Sequence, residues 1–195
     1  MPDVREPKPI NTDYSQLKIA NLACGGEQPP GKWWMHFDQN GVDRDNFKVA
    51  NIFPKIPVED GFCDGVLASH FLEHLTVTQS LVFLTECYRI MKPGGIIRIV
   101  VPDPEKFYTG TIQGELEWGD AYYSDQTFMQ YALFYPGNPN ESGHEQLLEK
   151  FGLYCLLLQS GFHKARQMQY RVSQLPPLAD IDNRPLYSLY VEAEK

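Results

Sequence analysis

The chain has 195 residues, 43% of them apolar and 13% aromatic, with 17 basic against 25 acidic side chains and a net charge of −8. Such a composition fills one core without disulfide or metal staples, and it excludes intrinsic disorder. No apolar run nears the roughly 18 residues of a membrane span, and the acidic balance lacks the basic footprint that nucleic-acid phosphates demand, so neither is expected as a partner. The polar, proline-rich stretch from Met1 to Pro9 has no apolar segment of a secretory signal. Cys24, Cys63, Cys87 and Cys155 are widely spaced without a C-x-x-C pair. A cytoplasmic protein with reduced thiols and no metal is therefore expected.

Residues 1–15 read as an irregular lead-in. Leu17 to Ala23 reads as a strand, followed at once by Cys24, Gly25 and Gly26. Pro29, Pro30 and Gly31 exclude a regular helix next. Trp33 to Phe37 is a second predicted strand ending at Asp38, Lys48 to Ile52 a short third, and Asp64 to Ser69 a fourth. Thr76 and Gln79 then form a capping-box pattern. Apolar residues recur at Val77, Leu81, Leu84, Tyr88 and Met91 with helical spacing, and Lys92-Pro93-Gly94-Gly95 stops the helix. Ile96 to Val101 is almost continuously β-branched, which suits a strand buried on both faces of a parallel sheet.

From Phe107 to Glu149 there is no Lys or Arg, and nine aromatic residues crowd between Phe107 and Tyr135. That density predicts an inserted segment at about 104–141, either packed as core or serving as a lid whose aromatic faces and carboxylates hold a sugar or an amine. Ser142 and Glu145 repeat the capping box. Leu147, Leu148, Phe151, Tyr154, Cys155 and Leu158 form a helical stripe closed by Gly161. Gln167 to Val172 alternates with period two, as a strand with one wet face does, and Tyr187 to Ala193 is a last strand. Strands alternating with helices predict an α/β fold with a mainly parallel sheet. In such sheets ligands sit beyond the carboxyl ends of the strands.

The residues at those ends are the candidates. Gly25 and Gly26 let a ligand approach backbone, because no Cβ intervenes; an ordinary tight turn is the other reading. Asp38 could accept both hydroxyls of a ribose, or be a solvated turn residue. His70-Phe71-Leu72-Glu73-His74 matches the H-x-x-E-H pattern of inverted zinc proteases. It also suits histidines that make structural hydrogen bonds, or histidines lining a reaction pocket as general bases. Asp103 is a site residue or the N-cap before Pro104. His144 begins the late helix or reaches the pocket.

Together, Leu22 to Gly26, Trp33 to Asp38, Ile56 to Val66, Ser69 to Leu75 and Met91 to Gly95 resemble class I S-adenosylmethionine (SAM)-dependent methyltransferases, closest to the small type 11 group. The resemblance covers about residues 17–103 closely. It implies a single three-layer Rossmann-like domain over 1–195 with a seven-stranded sheet in the order 3-2-1-4-5-7-6, strand seven antiparallel. It implies SAM contacts at Ala23, Cys24, Gly25, Gly26, Asp38, Asn51, Ile52 and Ser69. Catalysis would fall to His70 or His74, and substrate contacts to Asp103, Tyr108 and His144. The activity implied is methyl transfer to oxygen or nitrogen of a small polar acceptor, a sugar or an amine.

Two departures stand out. Ala23 and Asn51 replace the usual glycine and aspartate, which motivates a rival reading as a non-catalytic partner subunit. A zinc hydrolase using His70, Glu73 and His74 is a third. Gly25 also lies only 13 residues before Asp38, where dinucleotide folds show about 20. The early crossover helices should thus be reduced and one sheet face under-covered. The lead-in, the insert or a second subunit would hide it, so a homodimer is expected.

Overall fold

The computed structural model describes residues 14–25, 31–106, 137–138, 141–180, 182, 184 and 187–195. Its strands are β1 (Ile19–Leu22), β2 (Trp34–Asp38), β3 (Phe47–Val49), β4 (Cys63–Ser69) and β5 (Met91–Pro102), then β6 (Gly137–Asn138), β7 (Glu141–Ser142), β8 (His163–Met168) and β9 (Ser188–Glu194). Among the described residues the complete α-helices are α1 (Val77–Ile90) and α2 (Lys150–Gln159), and residues 104–106 are helical too. The main sheet runs β3-β2-β1-β4-β5-β9-β8. With the separate β6–β7 ribbon left out of the count, this is the expected 3-2-1-4-5-7-6. Neighbours from β3 to β5 pair in parallel, and β9 is antiparallel to both β5 and β8. Between β2 and β4 the described residues hold no helix, as the short spacing predicts. Most of the aromatic segment at 104–141, Tyr108 included, lies outside the described residues, as do Gly26 and most of the β1–β2 connection.

The capping box forms as read: Thr76 Oγ1 accepts the Gln79 N–H, and the Gln79 side chain accepts the Thr76 N–H. The helix face differs from expectation. Ser80, Phe83, Leu84, Cys87 and Ile90 are buried, while Val77 is 56% exposed. The stripe is rotated because the sheet claims Phe83 and Cys87, which the spacing passed over. Phe83, Leu84, Cys87 and Ile90, with Leu153, Leu156 and Leu157 of α2, form the apolar cover on one face of the sheet. Each such buried side chain contributes about 1.5–3 kcal/mol.

Two other expectations are corrected. The late helix begins at Lys150 with Glu149 as N-cap, and no side-chain cap forms. The Glu145 N–H, which a Ser142 cap would have used, donates instead to the Glu73 carbonyl at 2.8 Å. Gln146 is held beside it, its side-chain amide donating to Leu72 O and Ser80 Oγ. Residues 143–149 therefore run without helix, and Phe151, Cys155 and Leu158 face outward. The strand expected at 167–172 is shifted to His163–Met168. Residues 169–172 close a turn instead, with Arg171 at φ 56° and the Val172 N–H donating to Gln169 O.

That turn serves the second face of the sheet. Ile19, Trp34, Leu67, Val100 and Tyr190 are buried there beneath Leu178, with Leu17, Tyr170 and Leu175 packed alongside. Gly65 makes the approach possible: a Cβ there would stand 2.7 Å from Leu175 Cδ2. Among the described residues this face is covered by residues 170–178; residues 1–13 and most of the insert, two of the covers expected, lie outside the described residues. Beneath the same segment lies Arg98, fully buried and paired with Asp182 and Glu192.

Among the described residues no helix is long and apolar enough to cross a membrane. The four cysteines are free thiols. Burial pushes the Cys63 thiol up to about 12 and raises Cys87 as well, so neither is a reactive thiolate.

The loop before β4 is fastened to α1 by one charged cluster. Arg89 donates to both Glu86 oxygens, to Asp60 and to the carbonyls of Ile56 and Val58. The Arg89 hydrogen bonds hold the Glu86 carboxyl below its ordinary 4.5. A depressed carboxyl contributes stability that is present above the unfolded value and lost as pH falls through the folded one. Glu86→Gln is therefore expected to cost about 1–2 kcal/mol near neutral pH. The gap between variant and wild type should narrow as pH falls below 4.5, read from melting temperature against pH.

Candidate active site

At the end of β1 the chain turns through two left-handed residues, Ala23 at φ 53° and Gly25 at φ 51°. Glycine adopts this conformation at no cost, whereas alanine is strained by roughly 1–2 kcal/mol. The backbone thus keeps the glycine-type bend even where alanine has replaced glycine. The bend is tied to β2. The Gly25 N–H donates to Asp38 Oδ2 at 2.8 Å, and the buried Cys24 donates its N–H to Phe37 O at 3.1 Å. The Asn40 N–H donates to the other Asp38 oxygen at 2.9 Å. Asp38 is therefore clamped by backbone on both oxygens, each keeping lone-pair capacity for a further donor.

Beside this clamp lies a cavity of about 330 Å³ lined by Gly25, Asn40, Gly41, Val42, Asp43, Arg44 and Phe47. Its size is at the lower end of small-molecule sites, about 300–1,000 Å³. Among the described residues nothing stands within 4 Å of where a Gly25 Cβ would be, and Gly25 is exposed. The segment after β3 is held alongside, the Ala50 N–H donating to the Asp38 carbonyl. Asn51 is exposed, and its Oδ1 accepts the Phe53 N–H at 2.9 Å. Ile52 is buried in the core cluster. A backbone-tethered carboxylate and an exposed glycine backbone are chemically compatible with an adenosyl ligand; Asp38, Asn51 and Ile52 do not themselves line the cavity.

A second group gathers at the ends of β4 and β5. Ser69 closes β4, and His70 follows at φ 51° with its N–H donating to Val100 O. This left-handed turn at a non-glycine residue swings the ring to the sheet edge. His70 Nδ1 lies 3.2 Å from Glu73 Oε1, and Nε2 lies 3.0 Å from Ser188 Oγ. A carboxylate only accepts, so the proton belongs on Nδ1 and Nε2 is the accepting nitrogen. Asp103 caps the turn that follows, its Oδ1 accepting the Glu105 and Lys106 N–H groups. Burial raises its carboxyl. Lys106, lowered by burial, donates to the Ser188 carbonyl.

His74 and His144 stand together, rings edge to face with centroids 4.9 Å apart. His74 Nδ1 lies 3.1 Å from the Gly143 carbonyl. His144 is not on a helix, because residues 143–149 are drawn to Glu73 as described above. The candidate residues thus fall into two groups, one around Asp38 and one around His70 and Glu73. Glu73 and Ser188 carry no role in the sequence reading beyond the zinc pattern. A carboxylate inside the apolar run Phe71-Leu72-Glu73-His74-Leu75 is the signal that could have found the first, and Ser188 has none.

The strand order defines the class, a Rossmann-like methyltransferase fold, with Asp38 at the end of β2. The family model described as a methyltransferase domain, type 11, matches residues 31–99, the family that the sequence motifs resemble. No curated protein matches the chain. Among solved structures, a SAM-dependent methyltransferase from Archaeoglobus fulgidus is similar at 17% identity, covering 93% of this chain and 88% of that one, with a TM-score of 0.59. A structure of the complex between the Haloferax volcanii Trm112 methyltransferase activator and a methyltransferase matches at 15% identity, 91% and 81% coverage and a TM-score of 0.55. Human N-acetylserotonin methyltransferase in complex with SAM matches at 16% identity, 94% and 49% coverage and a TM-score of 0.53. The chain has the fold these proteins share, a mixed, mostly parallel seven-stranded sheet.

Proposed function

We propose that this protein binds SAM and transfers its methyl group to an oxygen or nitrogen of a small polar acceptor, with sugars and amines the classes to test. The observation that carries the reading is the Asp38 carboxylate, clamped by the Gly25 and Asn40 N–H groups beside an open cavity. Asp38 holds the ribose hydroxyls, and the bend at Ala23 and Gly25 brings backbone against the rest of the ligand. When bound, SAM supplies an activated methyl group and its own leaving group. The protein then has to align the acceptor and exclude water. His70 is the residue to take an acceptor proton, because Glu73 fixes its ring with Nε2 as the accepting nitrogen. His74, the other histidine considered as a base, has Nδ1 held by the Gly143 carbonyl.

Calorimetry with S-adenosylhomocysteine, followed by an acceptor screen, tests the proposal. Saturable binding is expected, and no binding ends the enzyme reading in favour of a non-catalytic module. With an acceptor in hand, His70→Ala should lower turnover by at least about tenfold, since a positioned base contributes about 10²–10⁴. Its S-adenosylhomocysteine affinity should change by less than about threefold. Equal loss of both would assign His70 a structural role.

A further inference from the structure

Glu73 and His74 lie on the 3-10 helix Leu72–His74, and His144 lies on the segment that crosses it. One carboxylate oxygen of Glu73 and one ring nitrogen of each histidine fall within 4.8 Å of one another. We propose that Glu73, His74 and His144 form a binding site for one divalent transition-metal ion, with zinc as the occupant.

Three observations carry this. First, the donor set is two imidazoles and one carboxylate, which suits zinc and its neighbours; magnesium and calcium call for oxygen ligands throughout. Second, the Glu73 side chain is only 3% exposed, and its two oxygens differ. Oε1 faces His70 Nδ1 at 3.2 Å, while Oε2 is buried with no hydrogen-bond partner among the described residues. A buried carboxylate oxygen left unsatisfied is costly, and a cation removes that cost. Third, His74 Nδ1 must donate to the Gly143 carbonyl, which places the lone pair on Nε2. Metal-bound histidines are oriented in this way, by a hydrogen bond from the nitrogen that does not bind the ion.

The scaffold suits the purpose. The Glu145 and Gln146 N–H groups both donate to the Glu73 carbonyl, so the backbone beside His144 is pinned to the helix that bears the other two ligands. Zinc–nitrogen bonds of about 2.0–2.1 Å place tetrahedral ligands about 3.4 Å apart. The three atoms need draw together by no more than about 1.5 Å, within reach of side-chain rotation. Three protein ligands leave a fourth position for water or another ligand. The site departs from the H-x-x-E-H zinc pattern, because His144 replaces His70, whose ring is engaged by Glu73 and Ser188. It also separates His74 from proton transfer and stands independently of the methyl-transfer reading.

The test uses the full chain purified without a histidine tag and freed of metal by chelator. Cobalt(II) titration is expected to give visible absorption bands of a tetrahedral ion at one equivalent, discharged by one equivalent of zinc. Zinc should raise the melting temperature, and magnesium should not. His144→Ala should weaken zinc binding by at least about 100-fold, Glu73→Gln similarly, and His163→Ala, remote and half exposed, not at all. Should Glu73→Gln fail to fold, His144→Ala decides alone. Absence of saturable uptake, uptake that survives His144→Ala, or equal loss in His163→Ala would overturn the proposal. S-adenosylhomocysteine binding measured on the same metal-free sample keeps this result separate from that of the methyl-transfer reading.

Discussion

Arg98→Leu is expected to destabilise the protein by about 3–5 kcal/mol, because it leaves buried carboxylates without their counter-charge. For a chain of this size that lowers the melting temperature by roughly 6–20 °C. Arg98 points from the middle of β5 to the second face of the sheet. There its guanidinium donates to Asp182 through Nε and Nη2 and to Glu192 at 2.8 Å through Nη1. Nη1 also donates to the Val172 carbonyl at 2.9 Å. Each acid is in turn held by backbone: Asp182 Oδ2 accepts the Arg171 N–H, and Glu192 Oε2 accepts the Gln174 N–H. The arginine is thus the centre of a cluster that clips residues 169–180 and Asp182 onto the sheet. Removing it strands two acids where water cannot reach them. Replacing all three charges by apolar residues of similar volume should cost less than the single change, since an intact buried triad adds little net stability. It should not be neutral, because the N–H groups of Arg171 and Gln174 lose their acceptors. Thermal unfolding of both variants checks the order. A triple variant less stable than Arg98→Leu would contradict this account.

Nothing in Ile96-Ile97-Arg98-Ile99-Val100-Val101 announces that cluster except one charge in a β-branched run. Its partners lie 84 and 94 residues on, beyond any local pattern. The same distance problem explains the other corrections. The Thr76–Gln79 capping box formed because every partner lies within one helical turn. The Ser142–Glu145 box failed because Glu73, some seventy residues earlier, supplies a competing carbonyl. The stripe Phe151, Cys155, Leu158 has helical spacing but faces outward; α2 is apolar on both sides, so periodicity cannot tell which side the sheet takes. Asp38 and Gly25 were legible, since a bend and the next strand's carboxylate are neighbours in a parallel sheet whatever the loop between them. The meeting of His144 with His74 was not, for it depends on the path of a segment that sequence spacing reads as helix.

Asp38→Ala is expected to raise the dissociation constant for S-adenosylhomocysteine by roughly 100-fold or more. Two hydroxyls donating to one carboxylate are charge-assisted hydrogen bonds, each worth about 1.5–3 kcal/mol, and about 2.7 kcal/mol is already 100-fold. The variant also releases the Gly25 and Asn40 N–H groups. Both residues lie at the exposed rim of the clamp, where water replaces the lost acceptor, so the melting temperature of the ligand-free protein should fall only slightly. Asp38→Asn separates the two roles. Its amide keeps one acceptor oxygen, enough to hold either Gly25 or Asn40, but its nitrogen presents hydrogens to whatever the second oxygen held. The loop should therefore stay largely in place while affinity drops nearly as far as in Asp38→Ala. Calorimetry on the three proteins reads the affinities, and thermal shift reads the loop. If Asp38→Ala binds as wild type does, the carboxylate only staples β1 to β2, and the cavity beside it is not a ribose site.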